Sequence, residues 1–326
     1  STRFTGKKRM MDRILEIIER NRSFLITSHE RLDGDALGTE LALYAWLCQQ
    51  GKMADIYNQD ATPENYQFLP GSEVILNELP AVGRYDAAFI VDCSDLSRVG
   101  RGYEKIADIG TLVNIDHHIS NTRFCEVSFV DPRASSAGEL LYRLITRKGN
   151  PVSSDIATNL YAALLTDTGG FHYGSTGRET LIAAGNLVGW GANPQEISEK
   201  IYENNPLAKI RLLARALETL AFDLDGRVGF MVVWRSVLQA VGAIPDYTEG
   251  FVDLPRSISG VEVSALFSEQ EDGGFKVSFR SKGKVDVERV ARAFDGGGHR
   301  NASACRIRGD FETVKRRVLD VIQDGF

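Results

Sequence analysis

Cysteine is scarce and scattered. Cys48, Cys93, Cys125 and Cys305 are the only four in 326 residues, and no two form a C-x-x-C pair. That spacing argues against a disulfide-stapled secreted scaffold and a structural zinc site, and leaves four small thiols expected to be buried. Long apolar runs are missing too. No stretch approaches the roughly 20 residues that span a bilayer, and Lys7-Lys8-Arg9 leads into a charged amphipathic segment rather than a signal-peptide core. The expectation is a soluble, cytoplasmic protein with no membrane partner. There is no G-x-x-x-x-G-K-[ST] phosphate loop, no G-x-G-x-x-G dinucleotide fingerprint, no Ser/His/Asp triad signature and no internal repeat. If the chain works on phosphate, water is the expected nucleophile.

What is present is an ordinary globular composition, 43% hydrophobic and 25% charged, over about twice the length of a single domain. The net charge of −6 is unevenly spread: residues 276 to 317 hold twelve Lys or Arg against five Asp or Glu. An acidic body suits divalent cations, and a basic segment attracts a polyanion, although a solvated basic face has the same composition.

Short apolar runs alternate with helical patterns. Strands are expected at 24–28, 54–57, 87–91 and 112–115, and helices at 36–50, 136–147, 155–165 and 178–188. This alternation predicts an α/β fold with a doubly wound parallel sheet over residues 1–190. A helical linker is placed at 191–215, inside a helical pattern from Pro194 to Phe222 that breaks near Asn204-Asn205-Pro206. Residues 216–326 read as a smaller α+β domain, with strands at 227–234, 261–268 and 275–280 and helices at 285–294 and 311–322. The three tryptophans, Trp46, Trp190 and Trp234, are expected to serve packing.

Four acid-rich segments lie where apolar runs turn polar: His29-Glu30-Arg31-Leu32-Asp33-Gly34-Asp35, Val91-Asp92-Cys93, Asn114-Ile115-Asp116-His117-His118 and Leu165-Thr166-Asp167. Two of only five histidines fall in the third. In doubly wound sheets, ligands bind outside the carboxyl ends of the strands, so His29, Asp92 and Asp116 should converge. Gly34 is expected to ease the turn between Asp33 and Asp35. Asp33 and Asp35 can address two different cations, Asp92 can bridge them, and His117 with Asp167 can complete the second site. An aspartate at a strand end is more often a cap, but this many acids together would repel one another without cations. The mixed donors suit Mn²⁺; Zn²⁺, Co²⁺ and Mg²⁺ are compatible.

The ordered set His29-x-x-x-Asp33-x-Asp35, Asp92, Asp116-His117-His118 and Asp167, followed far downstream by Gly296-Gly297-Gly298-His299, resembles the DHH/DHHA1 phosphoesterase superfamily. The resemblance is strongest to its bacterial nanoRNase and pAp phosphatase branch and spans nearly the whole chain. It implies a site for two Mn²⁺ ions, one held by His29, Asp33 and Asp92, the other by Asp35, Asp92, His117 and Asp167. It further implies that Asp116 orients a neighbouring imidazole, that His118 contacts the reacting phosphate, and that Asp92 is shared by both ions. In the second domain it implies a substrate-binding turn at Gly297, Gly298, His299 and Arg300 and a phosphate contact at Arg280-Ser281, across a cleft between the domains.

The implied substrates are short single-stranded oligoribonucleotides and 3′-phosphoadenosine 5′-phosphate (pAp). The resemblance is also compatible with a homodimer. Related activities stand beside this one: a cyclic or linear dinucleotide phosphodiesterase, a manganese inorganic pyrophosphatase, a processive exonuclease, and a nucleotide-binding module without chemistry. His172 and Arg98 lie close to the motifs in sequence. For each, a structural role competes with one at the site, and Arg98 reads equally as a surface ion-pair partner and as a phosphate contact.

Overall fold

The computed structural model describes residues 2–149 and 152–326. The chain divides into two compact units, residues 1–204 and 205–326. The first runs α1 (Thr2–Arg20), β1 (Ser23–Thr27), α2 (Gly34–Gln49), β2 (Met53–Tyr57), β3 (Ile75–Leu76), β4 (Ala87–Val91) and α3 (Tyr103–Ala107). It continues through β5 (Leu112–Asp116), β6 (Val127–Val130), α4 (Ala137–Lys148), α5 (Ser154–Asp167), α6 (Arg178–Gly189) and α7 (Pro194–Tyr202). Its six strands pair in parallel in the order β3-β2-β1-β4-β5-β6. The chain therefore winds outwards in both directions from the β1–β4 pair, and this switch point is where a doubly wound sheet opens a crevice.

β1 and β4 are buried along their whole length, which explains why they read as continuous apolar runs rather than alternating ones. On one face Phe24, Ile26, Phe89, Val91, Val113 and Ile115 join a core with Leu37 and Leu41 of α2, Leu140 of α4 and Leu160 of α5. Leu25, Ala88 and Ile90 face the other way, onto Val99 and Ile106. Each buried aliphatic or aromatic side chain contributes about 1.5–3 kcal/mol. Gly34 and Gly38 allow α2 to lie against α5. A Cβ on Gly34 would sit 2.5 Å from the Thr166 side chain, and one on Gly38 would sit 2.4 Å from the Asn159 carbonyl oxygen. The role of Gly34 is therefore close packing; it is helical, not a left-handed turn residue.

The second unit comprises α8 (Leu207–Leu217), β7 (Ala221–Asp223), β8 (Val228–Val233), α9 (Arg235–Val241), α10 (Asp253–Ser257), β9 (Val263–Glu269) and β10 (Phe275–Ser281). It ends with α11 (Val287–Arg292), β11 (Gly297–His299), β12 (Ala302–Ile307) and α12 (Phe311–Gln323). Its sheet, β11-β12-β10-β9-β8-β7, is antiparallel except for the β8–β9 pair. Val314 and Val318 of α12 pack on Phe267, Val277 and Phe279, and Trp234 stacks edge-on to Phe275 and Phe311.

Three further expectations need correction. The helical pattern expected to reach Phe222 ends at Leu217, because Ala221 and Phe222 pair with Phe230 and Gly229 in β7 and β8. Gly297–His299 is an edge strand rather than a turn, and Gly297 and Gly298 pair with Ala304 and Ser303. Cys48 is exposed, whereas Cys93, Cys125 and Cys305 are buried. Residues 191–215, expected as a linker, hold α7, the turn at Asn204–Pro206 and most of α8.

Candidate metal centre

The ends of β1 and β4 are stitched together by the Ser28 hydroxyl, which donates to the Val91 carbonyl at 2.7 Å. His29 follows β1, and its Nδ1 lies 2.7 Å from the Glu30 carbonyl oxygen. Because a carbonyl only accepts, Nδ1 carries the proton in the neutral ring, and Nε2 is then the nitrogen that presents a lone pair. Asp33 caps α2: its Oδ1 accepts from the Asp35 and Ala36 N–H groups at 3.1 and 3.0 Å, leaving Oδ2 to face His29. Asp35, 1% exposed, accepts from the Ala137 and Gly138 N–H groups at the start of α4 and from the Thr39 hydroxyl. Asp92 follows β4 with φ of +48°, a left-handed turn that aspartate tolerates better than most residues. Asp116 ends β5, with His117 and His118 next; Asp167 is the last residue of α5.

Around His29 Nε2 stand Asp92 Oδ2 at 3.4 Å and Asp33 Oδ2 at 3.8 Å. Around His117 Nε2 stand Asp167 Oδ2 at 3.3 Å, Asp92 Oδ1 at 3.5 Å and Asp35 Oδ2 at 3.7 Å. Asp92 thus turns one oxygen to each group. His117 Nδ1 is 3.3 Å from the Ala134 carbonyl, so here too the lone pair of Nε2 faces only acceptors. A lone pair ringed by carboxylate oxygens needs a positive charge at its centre. The separations are near the ligand–ligand edges of roughly 3.0–3.4 Å around a small cation with bonds of about 2.1 Å. Asp92 Oδ1 is buried without a hydrogen-bond partner, which fits the same reading. The donors present fit divalent cations.

The protonation states of the metal-free protein show the same stress. Burial pushes Asp35 well above the usual carboxylate range, and Asp92 and Asp167 add to the push. Asp167 rises to about 7, through burial and the neighbouring Asp92 and Asp33, with His117 opposing. Burial lowers His29, but Asp92 and Asp33 outweigh it and hold the ring at about 9. Asp92 is opposed by burial, yet the imidazoles of His117 and His29 keep it well below its ordinary value. The cluster substitutes protons for cations when no metal is bound.

His118 is held differently. Its Nδ1 lies 2.7 Å from Asp116 Oδ1 and 3.5 Å from Asp92 Oδ1. Asp92, His117 and His118 could themselves hold an ion, but the Asp116 hydrogen bond occupies Nδ1. Asp116 is fully buried and also accepts from Asn121 Nδ2 at 2.5 Å. Asn121 in turn reaches Asn114 Oδ1 at 2.8 Å, and Asn114 donates to the Ile90 and Cys93 carbonyls.

In the second unit, Arg280 on β10 and His299 on β11 are both register partners of Ala302 on β12, so the three positions lie side by side. The Arg280 guanidinium donates to the Phe279 carbonyl and stands 3.7 Å from Asp253. Ser281 is 1% exposed and its hydroxyl donates to the Val285 carbonyl at 2.7 Å, an internal commitment. Arg300 is exposed and reaches the Gly283 carbonyl, and His299 is described in its backbone alone. His172 is exposed and lies outside the metal-ligating groups found among the described residues.

Sequence reasoning missed the partners that hold the ligands. Thr39, Ala134, Asn121 and the N–H groups of Ala137 and Gly138 carry no motif. One signal was present: Ser136-Ala137-Gly138-Glu139 has the spacing of a helix-capping sequence, and Ser136 Oγ does accept from the Glu139 N–H. It marks a helix start, but not which distant carboxylate would dock there.

Two family models match, the DHH family N-terminal domain over residues 23–164 and the DHHA1 domain over residues 236–324. A bifunctional oligoribonuclease and PAP phosphatase NrnA from Thermus thermophilus is 32% identical, over 99% of this chain and 95% of its own length. The protein of the same name from Bacillus subtilis is 26% identical, over 94% of this chain and 98% of its own. Among solved structures, an exopolyphosphatase-related protein from Bacteroides fragilis has a TM-score of 0.93 and 30% identity, covering 97% of this chain and 96% of that one. With both domain models matched in order and a relative aligned almost end to end, the chain belongs to the DHH/DHHA1 phosphoesterase superfamily.

Proposed function

We propose that this hydrolase uses two divalent cations, Mn²⁺ best suited by donor type, to convert short oligoribonucleotides into mononucleotides and pAp into AMP and phosphate. The observation that carries the reading is Asp92, one oxygen toward the His29 group and the other toward the His117 group. His29, Asp33 and Asp92 would hold one ion, and Asp35, Asp92, His117 and Asp167 the other. When bound, such a pair neutralises phosphoryl charge and activates water.

The side chains do the rest. Asp116 fixes the His118 ring through Nδ1, so that its other nitrogen would be the one to meet a phosphate oxygen or a departing hydroxyl. Thr39 and the start of α4 hold Asp35 in place, so the second ligand set is formed before substrate arrives. The basic stretch that includes Arg280 and Arg300 supplies positive charge suited to a second phosphate. The names of the Thermus and Bacillus relatives support the choice of substrates.

The test is parallel product analysis with a 5′-phosphorylated RNA dinucleotide, a long RNA, pAp and pyrophosphate, each with Mn²⁺ and with chelator. Mn²⁺-dependent turnover of the dinucleotide and pAp is expected. Preference for pyrophosphate or the long RNA would replace the substrate assignment, and silence on all four would leave only a binding module.

A further inference from the structure

The turn after Asp92 carries a cation that the metal cluster does not use. Asp95 caps one tight helical turn, Leu96–Val99, accepting from the Ser97 N–H at 3.0 Å, and buried Val99 pins it to the sheet. Hydrogen bonds fasten this turn to the other segments that carry site residues. The Glu30 N–H donates to the Arg98 carbonyl at 2.7 Å, and the Thr122 N–H to the Ser94 carbonyl at 2.9 Å. The Thr122 hydroxyl reaches Asp95 Oδ2 at 3.1 Å. Glu30 adjoins His29, Ser94 lies two residues past Asp92, and Thr122 lies four past His118, so the turn is tied to all three.

Arg98 is half-buried in this position. Its Nη1 donates to Ser94 Oγ at 3.2 Å, and among the described residues it forms no ion pair with Asp or Glu. Asp95, held low first by its Ser97 hydrogen bonds, also feels the Arg98 charge, but the two form no ion pair. The carboxylates near the turn are otherwise engaged. Asp92 faces His29 and His117, Asp116 binds His118 and Asn121, and Asp95 binds Ser97 and Thr122. A guanidinium has five N–H donors, of which Ser94 takes one, and the spare donors of a half-buried guanidinium are best completed by an anion. That arrangement separates Arg98 from an ordinary surface ion-pair residue.

We propose that Arg98 is a substrate-binding residue whose guanidinium takes a non-bridging oxygen of the phosphate held at the metal cluster. The proposal rests on the phosphoesterase reading of that cluster. The planar fork suits two oxygens of one phosphate, which a lysine ammonium matches only as a point charge. Ser94 holds the fork by one edge, so little side-chain freedom is lost when the phosphate arrives.

The experiment titrates inorganic phosphate into the Mn²⁺-saturated full chain by calorimetry, for wild type, Arg98→Ala, Arg98→Lys and Arg98→Gln, with Mn²⁺ binding measured on each. Losing a charge-assisted hydrogen bond of about 1.5–3 kcal/mol corresponds to a phosphate affinity roughly 10- to 100-fold weaker. Arg98→Ala and Arg98→Gln should show that loss, Arg98→Lys a smaller one, and all should bind Mn²⁺ within about threefold of wild type. The Gln variant keeps a donor for Ser94, so it answers the question if the Ala variant does not fold. Unchanged phosphate affinity, or loss of Mn²⁺ binding in parallel with phosphate binding, overturns the proposal. If wild type cleaves no phosphoester and phosphate binding still depends on Arg98, the proposed substrates fall while this assignment stands.

Discussion

Replacing Gly38 with alanine tests whether the helix crossing sets the geometry of the metal centre. The new Cβ would lie 2.4 Å from the Asn159 carbonyl oxygen and 3.0 Å from Ala163 Cβ, against an ordinary contact of about 3.4 Å or more, so α2 and α5 must part by about 1 Å. Overpacking of this kind costs about 1–3 kcal/mol, while alanine returns about 1 kcal/mol in helix propensity. The net loss of up to about 2 kcal/mol corresponds to a fall in Tm of up to about 8 °C for a unit of this size. α2 carries Asp35 in its first turn and α5 ends in Asp167, so Mn²⁺ affinity should fall as well. Gly185 provides the control. It is helical, and a Cβ there meets nothing within 4 Å, so Gly185→Ala should raise Tm by a few degrees through propensity alone. Thermal unfolding followed by circular dichroism, with and without Mn²⁺, reads both effects. If Gly38→Ala gains as much in Tm as Gly185→Ala, the close-packing argument is wrong.

Asp92→Asn preserves shape but removes the charge shared by both ligand groups; we expect at least about 100-fold lower turnover and a reduced Mn²⁺ stoichiometry by calorimetry, and full activity would refute the shared-ligand role. Asn121→Ala frees one side of Asp116 and should lower kcat about tenfold or more with little change in Mn²⁺ affinity, read from steady-state kinetics. The metal-free protein should lose stability as pH rises. His29 moves from 6.5 to about 9 and Asp167 from 3.8 to about 7, so the folded state binds protons more tightly. Their stabilisation is full below the lower value of each pair and lost through the higher, and the Mn²⁺-induced rise in Tm should grow across the same window; a flat metal-free profile would count against it. Glu40 is fully buried on α2, bonded to the Asn58 amide and raised by burial to about 8. Glu40→Gln should therefore stabilise the protein by about 1 kcal/mol or more at pH 9 but not at pH 5, measured by urea unfolding.

The strand ends were readable because a buried parallel strand is a short apolar run, and the residue that breaks the run marks its carboxyl end. His29, Asp92 and Asp116 were found that way, and the topology then brought them together. What escaped was either non-local or weakly encoded. Asp35 is held by N–H groups about a hundred residues away, and backbone donors leave no trace in residue identity. β11 contains two glycines, which strand propensity disfavours; pairing with β12 overrides that preference. Phe222 continued an apolar pattern that belonged to the helix only as far as Leu217. Arg98 was visible, but whether a carboxylate faces it is a question only coordinates answer.

Asp35 has a second occupation. Its carboxylate bolts the start of α4 to α2 through three hydrogen bonds while facing His117. An inactive form made to trap the proposed substrates should therefore not be built at position 35, where loss of chemistry and loosening of the scaffold would arrive together. Asp167, whose carboxylate faces His117 and fastens no other helix among the described residues, is the place where a substitution is expected to silence the proposed reaction and leave the shape intact.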